Sequence, residues 1–323
     1  MQVRDFADGI RVDQVLLVRG ADVKRRQDGS ELLKLTLGDR TGAVTGVLRT
    51  GVDRAREDCL VGEPVRVMGM FAHHEHFGPQ IEIDSVRTAD ADEFDPGELV
   101  DGPLRSAAQM ESDLRELVAT IQDHALQRLL ALLLGEGSPT WEQYRDAPAA
   151  KRYHQAYRHG LLEHSLGVAQ AVSAISATFP GIDREVAVTG ALLHDIGKLE
   201  AYEMRGEAIE MSDQGRLFGE IALGYYRVRR AIEELDGFPP DRARSVLHII
   251  LSHHGLLEHG SPVIPCTREA TLVHMIDNLG GRLGSFDRLQ KSLASGAEWS
   301  VFDKGIGGGA YFAGSPSIER RAA

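Results

Sequence analysis

The chain is short of the residues that build secreted and membrane proteins. Its 323 residues hold two cysteines, Cys59 and Cys266, far apart and with no CxxC pair. That excludes a disulfide framework and a thiolate zinc knuckle, and it fits a reducing compartment. No apolar run approaches the roughly 20 residues that a spanning helix needs. The longest, Leu129 to Leu134 and Leu247 to Leu251, suit buried helices. There is no basic start followed by an apolar core, so no signal peptide is expected. These absences together describe a cytoplasmic protein without a membrane partner. Internal repeats and low-complexity tracts are also missing.

Positive charge is in deficit too. Lys and Arg number 36 against 48 Asp and Glu, a net charge of −12. Such a balance argues against tight duplex binding. The deficit is uneven: residues 1–90 hold 13 basic against 15 acidic side chains, and the remaining 233 hold 23 against 33. An acidic domain can still take a phosphate chain where a metal cluster and a few basic residues line its groove. Apolar content is ordinary at 42%, and the length allows two domains, each with its own core.

The first 90 residues read as strands. Val12 to Val18 is rich in β-branched and apolar residues, and the run from Leu33 to Leu37 alternates. A turn over Gly38 to Gly42 leads to Ala43–Leu48, then Pro64–Phe71 and Gln80–Val86, with a helix-like segment near Asp53 to Cys59. Five short strands with one helix predict a small Greek-key barrel of the OB type. Lys24, Arg25 and Arg26 fall in the first long hairpin loop, Arg49 follows the third strand, and His73, His74, His76 and Phe77 cluster at another turn. A rim of this kind suits the phosphates and bases of a single strand. The bland alternative is solvated loop charge. The histidines of this turn are expected on the surface, because alternate strand residues point to opposite faces.

An acidic, Pro- and Gly-containing linker over 91–107 separates this barrel from a helical region over 108–312, with a loose tail over 313–323. An apolar stripe runs from Leu114 to Leu133. Further helices are predicted over Leu161–Phe179, Ile182–Leu193, Leu217–Leu235, Asp241–Ser252 and Arg268–Leu279, and 199–214 reads as a loop or short hairpin. From Gly305 onward the Gly-rich chain is expected to be loose, apart from Tyr311-Phe312.

Seven potential ligands sit on these helices or at their ends: His164, His194, Asp195, Glu220, His253, His254 and Asp277. His194 and Asp195 are adjacent, and neighbours on a regular helix point about 100° apart. At a helix end the two can converge on one cation. Taken singly, each histidine is more often structural than ligating. Together they are all N and O donors, a set that favours Mn²⁺, Fe²⁺ or Mg²⁺ over structural zinc. One ion needs about four of them, His164, His194, Asp195 and Asp277. The surplus of Glu220, His253 and His254 suggests a second ion bridged by Asp195. Two ions a few ångströms apart suit in-line attack on phosphorus. Lys198, one turn beyond the pair, is placed to neutralise a phosphate oxygen; its alternative is a solvated helix-end lysine.

The spacing His164…His194-Asp195…Glu220…His253-His254…Asp277 resembles that of the HD-domain phosphohydrolase superfamily. Ala147-Pro-Ala-Ala-Lys151, His154, Gly160-Leu-Leu-Glu-His164-Ser165, Leu251-Ser-His-His-Gly255 and His274-Met-Ile-Asp-Asn278 further resemble the YhaM-type 3′→5′ exoribonucleases. The resemblance covers about residues 10–312. It implies an N-terminal OB-fold joined to an all-α HD domain, and divalent-metal hydrolysis of single-stranded RNA or DNA to nucleoside monophosphates. It implies manganese by preference, with Fe, Mg, Co or Zn as substitutes. His154 and Arg158 join Lys198 as groups that steady the phosphate, and an oligomer is compatible with it. The chain departs from the family at Gly219-Glu220-Ile221, where a histidine is usual in place of Glu220. The rim of the barrel is also poor in aromatics. Two rival readings stand beside an exonuclease: an HD hydrolase of small or cyclic nucleotides, and a non-catalytic nucleic-acid-binding protein whose metal site has decayed.

Overall fold

The structure, a computed structural model, describes residues 1–25, 29–74, 78–99, 102–103, 105–151, 155–205, 208–291, 293 and 297–313. Arg26, His76, Phe77 and His154, all singled out from the sequence, lie outside the described residues.

Five strands make a closed barrel: β1 (Arg11–Arg25), β2 (Glu31–Asp39), β3 (Gly42–Leu48), β4 (Pro64–His74) and β5 (Gly78–Thr88), with α1 (Val52–Asp58) between β3 and β4. Their order around the barrel is β1-β2-β3-β5-β4. β3 and β5 pair in parallel, Thr45 opposite Gln80, and every other pair is antiparallel. This is the OB topology expected from the strand count. The period-2 pattern explains it. Leu33, Leu35 and Leu37 are buried in the barrel with Val12, Leu16, Val65, Val67 and Ile81, while Lys34 and Thr36 face outward. Each fully buried leucine contributes about 1.5–3 kcal/mol of transfer free energy.

β1 is longer than the sequence suggested. Pairing with β2 continues to Lys24 opposite Leu32 and Arg25 opposite Glu31, so both basic residues belong to a strand end and not to a loop. The cause is the register: with Val23 opposite Leu33, the ladder has partners for two more residues.

After the short α2 (Pro96–Leu99) the chain turns helical: α3 (Ala107–Ala119), α4 (His124–Leu134), α5 (Pro139–Asp146), α6 (Gly160–Ser176), α7 (Arg184–Leu193), α8 (Lys198–Ala201), β6 (Tyr202–Arg205), β7 (Ala208–Met211), α9 (Asp213–Phe218), α10 (Glu220–Glu233), α11 (Pro240–Ser252) and α12 (Arg268–Lys291). The apolar stripe from Leu114 to Leu133 is two helices. Asp123 caps the second by accepting from the backbone N–H groups of Ala125 and Leu126, and Glu185 accepts those of Gln122 and Asp123. The predicted 217–235 helix is broken at Gly219, which makes Glu220 the first residue of α10. β6 and β7 form the short hairpin expected within 199–214. The tail is more ordered than expected up to residue 313: Trp299 bridges Tyr311 and Asp303 bridges Gly308. The helical core is a second cluster, centred on Leu129, Leu162, Leu166, Val188, Leu192, Ile249 and Val273.

Candidate metal centre

The core helices bring the candidate ligands to one place, five of the seven from helix ends. Leu193 is the last residue of α7, so His194 and Asp195 occupy its C-terminal cap and the position beyond. His253 and His254 stand in the same relation to α11. His164 lies in the second turn of α6, and Asp277 in the middle of α12. Glu220 is delivered by a close crossing of α8 and α10. A Cβ on Gly197 would stand 2.0 Å from the carbonyl of Glu220 and 2.4 Å from the nitrogen of Gly224, so only glycine lets these two turns meet. Gly255, at φ +80°, makes a similar approach to the ring of His274.

Four imidazoles are oriented alike. Nδ1 of His194 is 2.7 Å from the carbonyl of Ala191, and Nδ1 of His253 is 2.8 Å from that of Ile250. Nδ1 of His254 is 2.9 Å from the carbonyl of His259, and Nδ1 of His164 is 3.1 Å from Gln155 Oε1. A carbonyl only accepts, so the three backbone contacts place the proton on Nδ1 and leave Nε2 facing inward, the arrangement of a metal-ligating histidine. Gln155 carried no sequence signal of its own. It is held in turn by Glu163, which accepts from Gln155 Nε2 at 3.3 Å and from the Tyr157 hydroxyl.

The inward atoms form two groups. His164 Nε2 lies 3.1 Å from His194 Nε2, 3.2 Å from Asp195 Oδ2 and 3.1 Å from Asp277 Oδ1; His194 Nε2 lies 3.3 Å from Asp195 Oδ2. Ligands about 2.1 Å from one ion stand about 3.0 Å apart at right angles and about 3.4 Å apart at tetrahedral angles. The observed separations fall in that range. The second group is Glu220, His253 and His254, whose ligand atoms lie within 4.8 Å of one another. Glu220 Oε1 is 3.4 Å from His254 Nε2, and Asp195 Oδ1 is 3.4 Å from His253 Nε2. Asp195 thus turns one oxygen to each group.

Two buried atoms of the site, Asp195 Oδ1 and His253 Nε2, have no hydrogen-bond partner among the described residues. Burying an acceptor unpaired costs about 1–3 kcal/mol, and a cation between them would remove that cost. The residues present therefore fit a divalent metal at both groups.

The electrostatics agree. Burial alone would push His164 down, but its hydrogen bonds to Asp195 and Asp277 prevail and lift its pKa to about 9. A proton on its Nε2 fills the place of a cation between the two carboxylates. Burial would raise Asp195, yet the Lys198 charge holds it well below the usual carboxylate range. Asp277 is likewise lowered against burial, by His164, and Glu220 by Lys198. Burial depresses His253, whereas His254 is raised against its burial by Glu220.

Several expected contacts differ. Lys198 is no solvated helix-end lysine: its Nζ is 2.6 Å from Asp195 Oδ2 and its side chain is 12% exposed. Burial would lower its pKa, but Asp195 and Glu220 raise it. Arg158 is paired with Asp146 at 2.5 Å instead of pointing at the cluster, because the turn before α6 sets it against the end of α5. Arg49 donates to both oxygens of Glu82, at 3.1 and 3.0 Å. The parallel β3–β5 register sets Val47 opposite Glu82 and brings Arg49 alongside, so its charge is already met. Lys24, Arg25, His73 and His74 are exposed.

Residues 161–281 match the HD domain family. The helical half carries an HD domain. Beyond it, the chain is 28% identical over 298 residues to the 3′-5′ exoribonuclease YhaM of Bacillus subtilis (strain 168), covering 89% of this chain and 90% of that protein. It is 29% identical over 294 residues to the 3′-5′ exoribonuclease YhaM of Geobacillus sp. (strain WCH70), covering 89% and 87%. The resemblance to YhaM exoribonucleases therefore takes in the barrel as well as the HD domain. Solved structures similar to part of the chain include the second OB-fold domain of replication protein A from Methanococcus maripaludis, at 22% identity, TM-score 0.23, and coverage of 27% of this chain and 92% of that one. Another is a small single-stranded DNA-binding protein from Streptomyces coelicolor, at 14% identity, TM-score 0.23, and coverage of 28% and 100%.

Proposed function

We propose that this chain is a metal-dependent 3′→5′ exonuclease that releases nucleoside monophosphates from single-stranded nucleic acid, RNA before DNA. The observation that carries the reading is Asp195, a buried carboxylate with one oxygen toward His164 and His194 and the other toward His253. His164, His194, Asp195 and Asp277 would hold one divalent ion, and Glu220, His253 and His254, beside Asp195, would hold another. Mn²⁺ suits this N/O set first, with Fe²⁺, Mg²⁺, Co²⁺ or Zn²⁺ as substitutes. When bound, such ions supply a nucleophile from water at neutral pH and offset charge on the reacting oxygens.

The chain's own residues do the rest. Gln155 and the backbone carbonyls fix the imidazole tautomers. Lys198 supplies positive charge beside Asp195 for a phosphate oxygen. Residues 1–90 act as a strand-holding domain and 108–312 as the hydrolytic one, joined by 91–107. The basic end of β1, with Lys24 and Arg25, offers phosphate contacts, and Arg26 follows them in the sequence. Direction and substrate class rest on the relatives, both named 3′-5′ exoribonucleases, and a cytoplasmic site of action accords with an RNA substrate.

The test is single-stranded RNA labelled at its 5′ end, incubated with Mn²⁺ and the purified chain. A ladder shortening from the 3′ end supports the reading. Intact RNA across a panel of divalent ions, or cleavage of cyclic dinucleotides alone, overturns it.

A further inference from the structure

The outer side of α12 stays exposed from Met275 to Phe286 and ends at the buried Leu289. Met275, Leu279, Leu283 and Phe286 recur at intervals of four, four and three, so they share one face of the helix. The opposite face carries Ala270, Val273 and Ile276 into the helical core. Asp277, a residue of the metal centre, also turns inward. The described tail extends the outer face. Arg288 pairs with Asp303 at 2.5 Å, the rings of Phe286 and Phe312 are 6.4 Å apart, and Trp299 and Tyr311 lie 4.9 Å from each other. The four helix residues together with Trp299 and Tyr311 are between 38% and 62% exposed. At about 150–250 Å² for a large side chain, they present on the order of 700 Å² of apolar surface. Exposed apolar area of that order marks an interaction surface more often than scattered single residues do.

We infer that this face joins two copies of the chain about a two-fold axis. The helix residues are placed for it. Met275 and Phe286 are centred on the Gly280–Gly281 step, and so, within half a residue, are Leu279 and Leu283. An antiparallel pair of α12 helices crossing there sets Met275 against the partner's Phe286 and Leu279 against the partner's Leu283. The pattern is thus complementary to itself, as an isologous interface requires. The area also suits, since a stable dimer buries about 800 Å² per partner. The chain's own last residues are poor candidates to cover the patch: 314–323 hold one large apolar residue, Ile318. Dimerisation braces the helix that carries Asp277 from its outer side.

Sedimentation of the full chain at micromolar concentration tests this. The expected mass is twice the 35.3 kDa of one chain. Leu279→Glu with Leu283→Glu yields a folded monomer by circular dichroism and sedimentation, as does the pair Leu279→Lys with Leu283→Lys. Mixing the two variants restores a dimer, because each glutamate then meets a lysine across the axis. That rescue separates a lost interface from a lost fold. A monomeric parent overturns the inference, as does a dimer that survives either double substitution, or folded variants that fail to associate when mixed.

Discussion

Asp195 Oδ1 and His253 Nε2 face each other across 3.4 Å in the buried centre of the HD domain, each without a hydrogen-bond partner among the described residues. The other oxygen of the same carboxylate meets His164, His194 and Lys198. Asp195→Asn keeps the size of the side chain and removes its charge. We expect it to lower hydrolysis by more than about 100-fold, some 2.7 kcal/mol of transition-state stabilisation, while circular dichroism stays unchanged. Asp195→Ala goes further, because it leaves the Lys198 ammonium buried beside an empty position, at a cost of about 3–5 kcal/mol. Adding Lys198→Met should recover most of that loss in a denaturant melt. No recovery would mean that the Asp195–Lys198 pair is not what the fold depends on at this point.

Gln155 holds the outer nitrogen of His164. Gln155→Leu takes away that acceptor without touching a ligand. Outer partners of this kind are worth about 10–100-fold in metal affinity. Calorimetric Mn²⁺ titration should show a loss in that range; an unchanged affinity would remove Gln155 from any role in orienting His164.

Metal and proton compete for His164. With its pKa raised to about 9 in the metal-free protein, the imidazole is protonated at neutral pH and must lose a proton when a cation binds. Above pH 9 the competition vanishes; below it, apparent affinity falls about tenfold per pH unit for the one proton displaced. Titrations at pH 7 in buffers of different ionisation enthalpy should therefore report release of close to one proton per chain from this residue. Affinity independent of pH between 7 and 9 would contradict the raised pKa.

Glu220 stands where the resembled family usually carries histidine. It adds a hard oxygen donor to the His253–His254 group, so Glu220→His should move metal preference toward Zn²⁺, Co²⁺ or Ni²⁺, and Glu220→Ala should reduce the ions bound per chain. Identical stoichiometry and preference in the parent and both variants would leave Glu220 as the partner of His254 alone.

The two halves of the protein were legible in the sequence to different depths. The barrel follows from the alternation around Leu33, Leu35 and Leu37, a local pattern that fixes which side chains turn inward. The length of β1 did not, because Lys24 and Arg25 are held by cross-strand pairing with β2 and have no apolar alternation of their own. The candidate ligands could be picked out because each lies at a helix end or on a helical face. How they divide into two groups was suggested by their number, and Gln155 could not be found at all: glutamine is common, and its contact with His164 reaches from the irregular turn before α6 into the second turn of that helix. Lys198, Arg49 and Arg158 show the same limit. Sequence position marks a cation, but only the fold reveals the carboxylate that already holds it.

In the proposed function one carboxylate, Asp195, ties two cation sites to phosphodiester hydrolysis. Stepwise addition of Mn²⁺ to metal-free protein, with release of nucleoside monophosphate from single-stranded RNA followed at each step, tests it most directly. Two equivalents should bind and turnover should rise only as the second fills, with Asp195→Asn losing both. Full activity at one equivalent, or two ions bound by Asp195→Asn as tightly as by the parent, would contradict it.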